Sequence, residues 1–164
     1  ITKADLEPYL FPKQEELRQM RVEVRYLGYY LKWIPQEMYY YAVKHAGFEA
    51  SPYGRTEGTY SKYNSLDDRI DGFHYYTTYI KFGLGRASYD AAQEIRSGHL
   101  IRDEGVALVK RYDGEFPQRW FKEILDYMMI TEKQFWQTID KFRPPHLWAK
   151  KNGKWQLKHA VWMK

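Results

Sequence analysis

The sequence contains no cysteine. Disulfide frameworks and thiolate metal sites are thereby excluded within this chain. It also has no run near the roughly 18 apolar residues that a membrane-spanning helix needs. The first residues, Ile1-Thr2-Lys3-Ala4-Asp5, lack the basic start and apolar core of a signal peptide. The absent cysteine and the absent leader together fit a cytoplasmic protein. An initiator Met is missing as well, so a fragment or a processed chain is expected. Histidine is scarce, at five residues, and no two are spaced as His-x-x-x-His. No serine sits in Gly-x-Ser-x-Gly, so a self-contained hydrolase site is not expected. Nor does charge of one sign dominate: 26 Lys and Arg stand against 21 Asp and Glu, a net charge of +5. The basic residues are dispersed rather than gathered on one arm, which argues against a nucleic-acid binder. Mild positive charge suits small anions such as nucleotide phosphates equally well.

What the chain has in excess is aromatic surface: 16 Tyr, 8 Phe and 6 Trp. These rings supply a core and its rim, or a stacking face for a sugar or a base. At 164 residues and 44% apolar content, one domain with a substantial core is expected.

Pro8 and Pro12 make residues 1–12 an arm or loop. Lys13 to Arg21 reads as a short charged helix. Val22 to Trp33, VEVRYLGYYLKW, is predicted as a strand, because its apolar run suits burial on both faces of a parallel sheet. Pro35 opens a helix that Gly47 can end. Residues 48–63 read as a long loop, usually a functional or mobile feature. Ser65 with Asp68 signals a helix start, and Leu66, Ile70, Phe73, Thr77 and Ile80 form its apolar stripe. Helices follow over Ala87 to Ser97, Asp103 to Tyr112, from Pro117, and from Thr131, whose spacing to Gln134 is a capping box. Pro144-Pro145 ends the last one. LWAKKNGKWQLKH places Asn-Gly between alternating apolar residues and predicts a hairpin. The predicted fold is therefore mainly α: a helical domain of five to seven helices, an upstream strand and a C-terminal β-hairpin.

Three groups of residues are candidate sites. Gly83-Leu84-Gly85-Arg86 lacks the preceding strand and third glycine of a dinucleotide fingerprint, and it lacks the Walker lysine. It is either a helix–helix bend, which we favour, or a bend whose amides, with Lys81 and Arg86, meet an anion. Asp67, Asp71 and His74 share a helix face by spacing. One helix supplies too few ligands for a metal, so a solvated face is favoured and no metal is expected. Arg55, Glu57, Tyr60, Lys62 and Tyr63 lie on the glycine-hinged loop, as a binding site or as a surface turn.

The stretches YLGYYLKWIPQE, EGTYSKYNSLDDRIDGFHYYTTYIKFGLGRASYDAAQEIRSGHLIRDEGVALVKRYDGEFP and FWQTIDKFRPPHLW resemble the C-terminal part of the N-acetyl sugar amidotransferases of bacterial lipopolysaccharide and flagellar-glycan synthesis. The resemblance covers about Leu6 to His159. It implies an enzyme similar to the PP-loop ATP-pyrophosphatases. Such an enzyme uses ATP and Mg to convert the acetamido group of a nucleotide-linked sugar to acetamidino. Ammonia would come from a glutaminase and its companion subunit. The family's Ser-Gly-Gly-x-Asp-Ser loop and N-terminal cysteines are missing; the nearest string is Ser97-Gly98-His99. Residues 1–34 are then expected to be the remnant of an α/β PP-loop domain, and 35–164 the helical C-terminal domain. The piece alone is expected to hold no cofactor and to be inactive. Glu57, Tyr60, Lys62, Lys81 and Arg86 are the expected substrate contacts, with no catalytic residue assigned. A homodimer is conceivable through an unpaired strand edge. The competing class is a basic, Tyr-rich module that binds nucleic acid or a partner protein without catalysis.

Overall fold

The computed structural model describes residues 1–21 and 23–163. The chain divides into two units, Ile1–Trp33 and Ile34–Lys164.

In the first unit, Thr2 caps α1 (Lys3–Leu6), its hydroxyl accepting from the Asp5 amide while the Asp5 carboxylate takes the Thr2 N–H at 2.7 Å. A 3-10 turn with Pro8 at its start follows at Glu7–Tyr9. The arm expected over residues 1–12 is thus partly helical. The short charged helix forms as α2 (Gln14–Met20). The predicted strand is not found. Its first residue, Val22, lies outside the described residues, and within 23–33 the chain makes one helical turn, α3 (Leu27–Tyr30). The physical reason is pairing. A strand needs a neighbour to satisfy its N–H and C=O groups, and no strand among the described residues pairs with it. The segment instead closes its bonds locally, as in Leu31 N–H to Leu27 O at 3.0 Å.

The second unit holds six helices and a hairpin among its described residues. Pro35 begins α4 (Pro35–Ala46), and Gly47 ends it at φ 66°, a left-handed geometry that glycine adopts without a Cβ penalty. A loop leads to α5 (Asp71–Phe82). This helix starts six residues later than predicted. Ser65 has φ 56°, outside the extended region an N-cap needs, and its hydroxyl binds Asp71 instead. Asp67 therefore stands on the loop, and the proposed Asp67–Asp71–His74 helix face does not exist. Next come α6 (Arg86–Ser97), α7 (Arg102–Tyr112), α8 (Phe121–Met128) and α9 (Glu132–Lys141). Thr131 and Gln134 form the expected capping box on α9. Strands β1 (Trp148–Lys151) and β2 (Lys154–Leu157) pair antiparallel, Trp148 opposite Leu157, across a tight turn with Asn152 and Gly153 both at positive φ. The mainly α class and the C-terminal hairpin hold; the upstream strand does not.

The core joins α5, α8, α9 and the hairpin. Phe73, Tyr76 and Ile80 meet Phe121, Ile124, Leu125, Phe135, Ile139, Trp148 and Leu157. Phe116, Phe121 and Phe135 pack mostly edge-on around Phe73, an arrangement that the ring quadrupoles favour. Trp148 buries its ring and donates Nε1–H to the Ile80 carbonyl at 2.7 Å, tying the hairpin to α5. Helices α6 and α7 pack closely at Gly105, where an added Cβ would come within 2.6 Å of Ile95 Cδ1.

Candidate functional site

The long loop after α4 is built rather than loose. Backbone bonds cross it from Ser51 N–H to Lys62 O at 2.8 Å and from Thr56 N–H to Ser61 O at 2.9 Å. Thr59 and Ser61 are buried. Two remote carboxylates hold it, Glu115 from the connection after α7 and Asp90 from α6. Glu115 accepts both Arg55 guanidinium arms, at 2.6 and 2.7 Å, and the Gly58 N–H at 2.8 Å. Arg55 also lies 4.7 Å over the Tyr112 ring. The Arg55 hydrogen bonds hold the Glu115 carboxyl below its ordinary range. Asp90 accepts from Thr59 Oγ1 at 2.5 Å and from Arg86 Nε at 3.1 Å.

The Gly-x-Gly-Arg bend is occupied by the chain itself. Asp113, just past α7, accepts the Gly85 N–H at 2.9 Å, the Ser88 N–H at 3.1 Å and the Ser88 hydroxyl at 2.6 Å. A carboxylate at the start of α6 is what free amides and a helix dipole attract. Burial pushes the Asp113 carboxyl upward, and these hydrogen bonds oppose the shift. Gly85 is needed for close approach: a Cβ there would lie 2.8 Å from Asp113 Oδ1. The anion expected at these amides is thus an internal side chain.

The five expected contacts scatter. Glu57 lines a cleft, described below, and its carboxylate accepts the Arg119 backbone N–H at 3.2 Å. Tyr60 is half-buried, its hydroxyl has no hydrogen-bond partner among the described residues, and burial raises its pKa. Lys62 is exposed on the loop. Lys81 is exposed between the Phe82 and Phe142 rings, 5.5 and 5.8 Å away. Arg86 is largely enclosed and committed inward, to Asp90, to Asp71 at 3.9 Å and to the Tyr75 face at 4.3 Å.

The cleft holds about 410 Å³ between this loop and the start of α8. Glu49, Tyr53, Glu57, Asp67, Asp68, Arg69, Arg119 and Trp120 contribute to its lining. Tyr53 and Trp120 meet edge-on with centroids 5.8 Å apart. Arg69 is clamped by Glu123 at 2.6 and 2.7 Å and covers Trp120 at 4.4 Å. Arg119 lies 5.0 Å over Tyr53 and donates to the Tyr53 carbonyl at 3.2 Å, without an ion pair among the described residues. Its charge is free for a ligand.

Aromatic faces beside carboxylates and arginines suit a polar, hydroxyl-bearing ligand: rings cover apolar faces, carboxylates accept hydroxyls, and Arg119 offers one cation to a phosphate within a lining whose four carboxylates leave it net acidic. No histidine lines the cleft, and no group of three His, Asp or Glu able to hold a metal occurs among the described residues. Of the residues lining the cleft, the sequence singled out Glu57 and Asp67 but not Arg69, Arg119 or Trp120. The signal for the last two was an Arg-Trp pair just after Pro117, where a helix was already expected.

Residues 57–161 match the family model described as LPS biosynthesis protein WbpG-like, C-terminal domain. No curated protein matches the chain.

Proposed function

The chain belongs to the family of WbpG-like C-terminal domains of LPS biosynthesis proteins, and from that premise we propose that it is the sugar-holding portion of an amidotransferase. In this reading the whole enzyme converts the acetamido group of a nucleotide-linked sugar to acetamidino. The observation that carries the reading is the cleft: two aromatic rings, one unpaired arginine and several carboxylates, with much of its lining inside the matched segment. Tyr53 and Trp120 cover the sugar ring. Arg119 meets a phosphate of the nucleotide. Glu57, held by the Arg119 amide, accepts a sugar hydroxyl.

In this reading the glycine-rich bend is not a triphosphate site. The one glycine-rich bend already gives its Gly85 and Ser88 amides to Asp113. ATP with Mg, and ammonia from a glutaminase with its companion subunit, act in this reading through other polypeptide.

The test is direct binding. Uridine-diphosphate-linked N-acetyl sugars are titrated into the chain without ATP, and saturation-transfer NMR reads the contact. Arg119→Ala should weaken binding about tenfold with the melting temperature unchanged, whereas Trp120→Ala should weaken binding and also lower the melting temperature, because its ring packs against the core. Arg86→Ala should lower stability instead. Binding that is indifferent to Arg119 and Trp120, in folded protein, rejects the cleft as the sugar site.

A further inference from the structure

A second cavity, of about 440 Å³, runs along α6 and α7 and differs in kind from the first. Its floor is made of small side chains: Ala91, Gly105 and Val109 are all buried. Gly105 lets the two helices approach, so the trough between them is shallow and continuous. Its walls are apolar and exposed, with Leu84 at 45%, Tyr89 at 51% and Val161 at 46%. No acidic residue lines it. Two cations do, Arg96 on the last turn of α6 and Arg102 on the first turn of α7. They flank the turn between the helices, so both charges sit at one end of the trough. Neither makes an ion pair among the described residues, unlike Arg86 or Arg143.

An exposed apolar trough along two helices is the geometry that accepts a third helix by its apolar stripe. Helices of 12 and 11 residues offer a length of about 16–18 Å, enough for three turns of a guest. The charge distribution then fixes the guest's chemistry and direction. We propose that the α6–α7 trough docks an amphipathic, acidic helix of a partner protein, its C-terminal turn over Arg96 and Arg102. That end of a helix carries negative dipole charge, and glutamates or aspartates beside it complement both arginines. The site is separate from the polar cleft, and the inference stands whether or not the cleft holds a sugar.

The probe is a synthetic helix of about fourteen residues, with leucines at i, i+3, i+4 and i+7 and glutamates flanking its C-terminal turn. Fluorescence anisotropy follows its binding to the whole chain. A second peptide carries lysine for every glutamate. The acidic peptide should bind at least about tenfold more tightly, and the preference should shrink as salt rises. In the double variant Arg96→Glu/Arg102→Glu the preference should reverse; both side chains are exposed, so the fold is kept, as circular dichroism would verify. Ala92→Trp, which fills the trough from its exposed wall, should abolish binding of both peptides. Equal binding of the two peptides, or no binding of either, overturns the proposal. So does self-association of the free chain that the same variants abolish, because the occupant is then a second copy.

Discussion

Replacing Asp113 with alanine should reveal how much the internal carboxylate is worth. The side chain receives three donors, the Gly85 and Ser88 amides and the Ser88 hydroxyl, at 2.6 to 3.1 Å. Removing a helix cap costs about 1–2 kcal/mol. Leaving enclosed amides without an acceptor adds about 1 kcal/mol or more. Against this, the folded protein is relieved of a carboxylate whose burial opposes ionisation. The net loss should be about 2 kcal/mol at neutral pH. With a urea slope of about 1–2 kcal/mol/M, the midpoint falls by about 1–2 M. Asp113→Asn should cost about half as much, since its amide oxygen still accepts. Ser88→Ala in a double-mutant cycle should couple to Asp113 by about 1 kcal/mol. The alanine variant also opens an anion site at the start of α6, so added formate should restore part of its stability and do little for wild type. A loss below about 0.5 kcal/mol, or equal formate effects on both proteins, would refute the reasoning that this bend is closed by its own carboxylate.

Glu115→Gln should cost about 1 kcal/mol at neutral pH, a modest value because both partners of the Arg55 pair are about one-third exposed. The Glu115 carboxyl lies below its ordinary value of 4.5. Its contribution is therefore complete above that value and disappears as pH falls through the depressed folded one, so urea midpoints of the two proteins should converge in acid. Gly114→Ala should destabilise by about 3 kcal/mol by urea or thermal melting. Gly114 has φ 78°, and a methyl group there would intrude on the Tyr79 ring. Trp148→Phe should cost about 1–3 kcal/mol, because it leaves the Ile80 carbonyl without its donor and leaves space in the core.

Local signals were readable in the sequence wherever the partner lay a few residues away. Thr131 with Gln134, Pro35 with Gly47, and Asn152-Gly153 between apolar alternations each located an element within a residue or two of its end. Legibility failed where the deciding partner was remote. Ser65 looked like a cap until its hydroxyl was seen on Asp71. The Val22–Trp33 composition favoured a strand, but composition does not supply a neighbouring strand. The Gly83–Arg86 bend looked open to an anion because its occupant arrives from 25 to 28 positions later. In the cleft, Glu57 was marked by its loop, whereas Arg69 and Arg119 acquire meaning only beside Trp120 and Tyr53.

The fastenings of the loop join residues very far apart along the chain: Arg55 to Glu115 across 60 positions, Arg69 to Glu123 across 54 and Arg119 to Glu57 across 62. Each closes a large ring of backbone whose entropy must be surrendered before the bond can form. During refolding the helices should mature first and the recess last. A molecule that binds there finds nothing to grip until the barrier is crossed. Its presence should therefore leave the refolding rate nearly untouched and lengthen the lifetime of the native state.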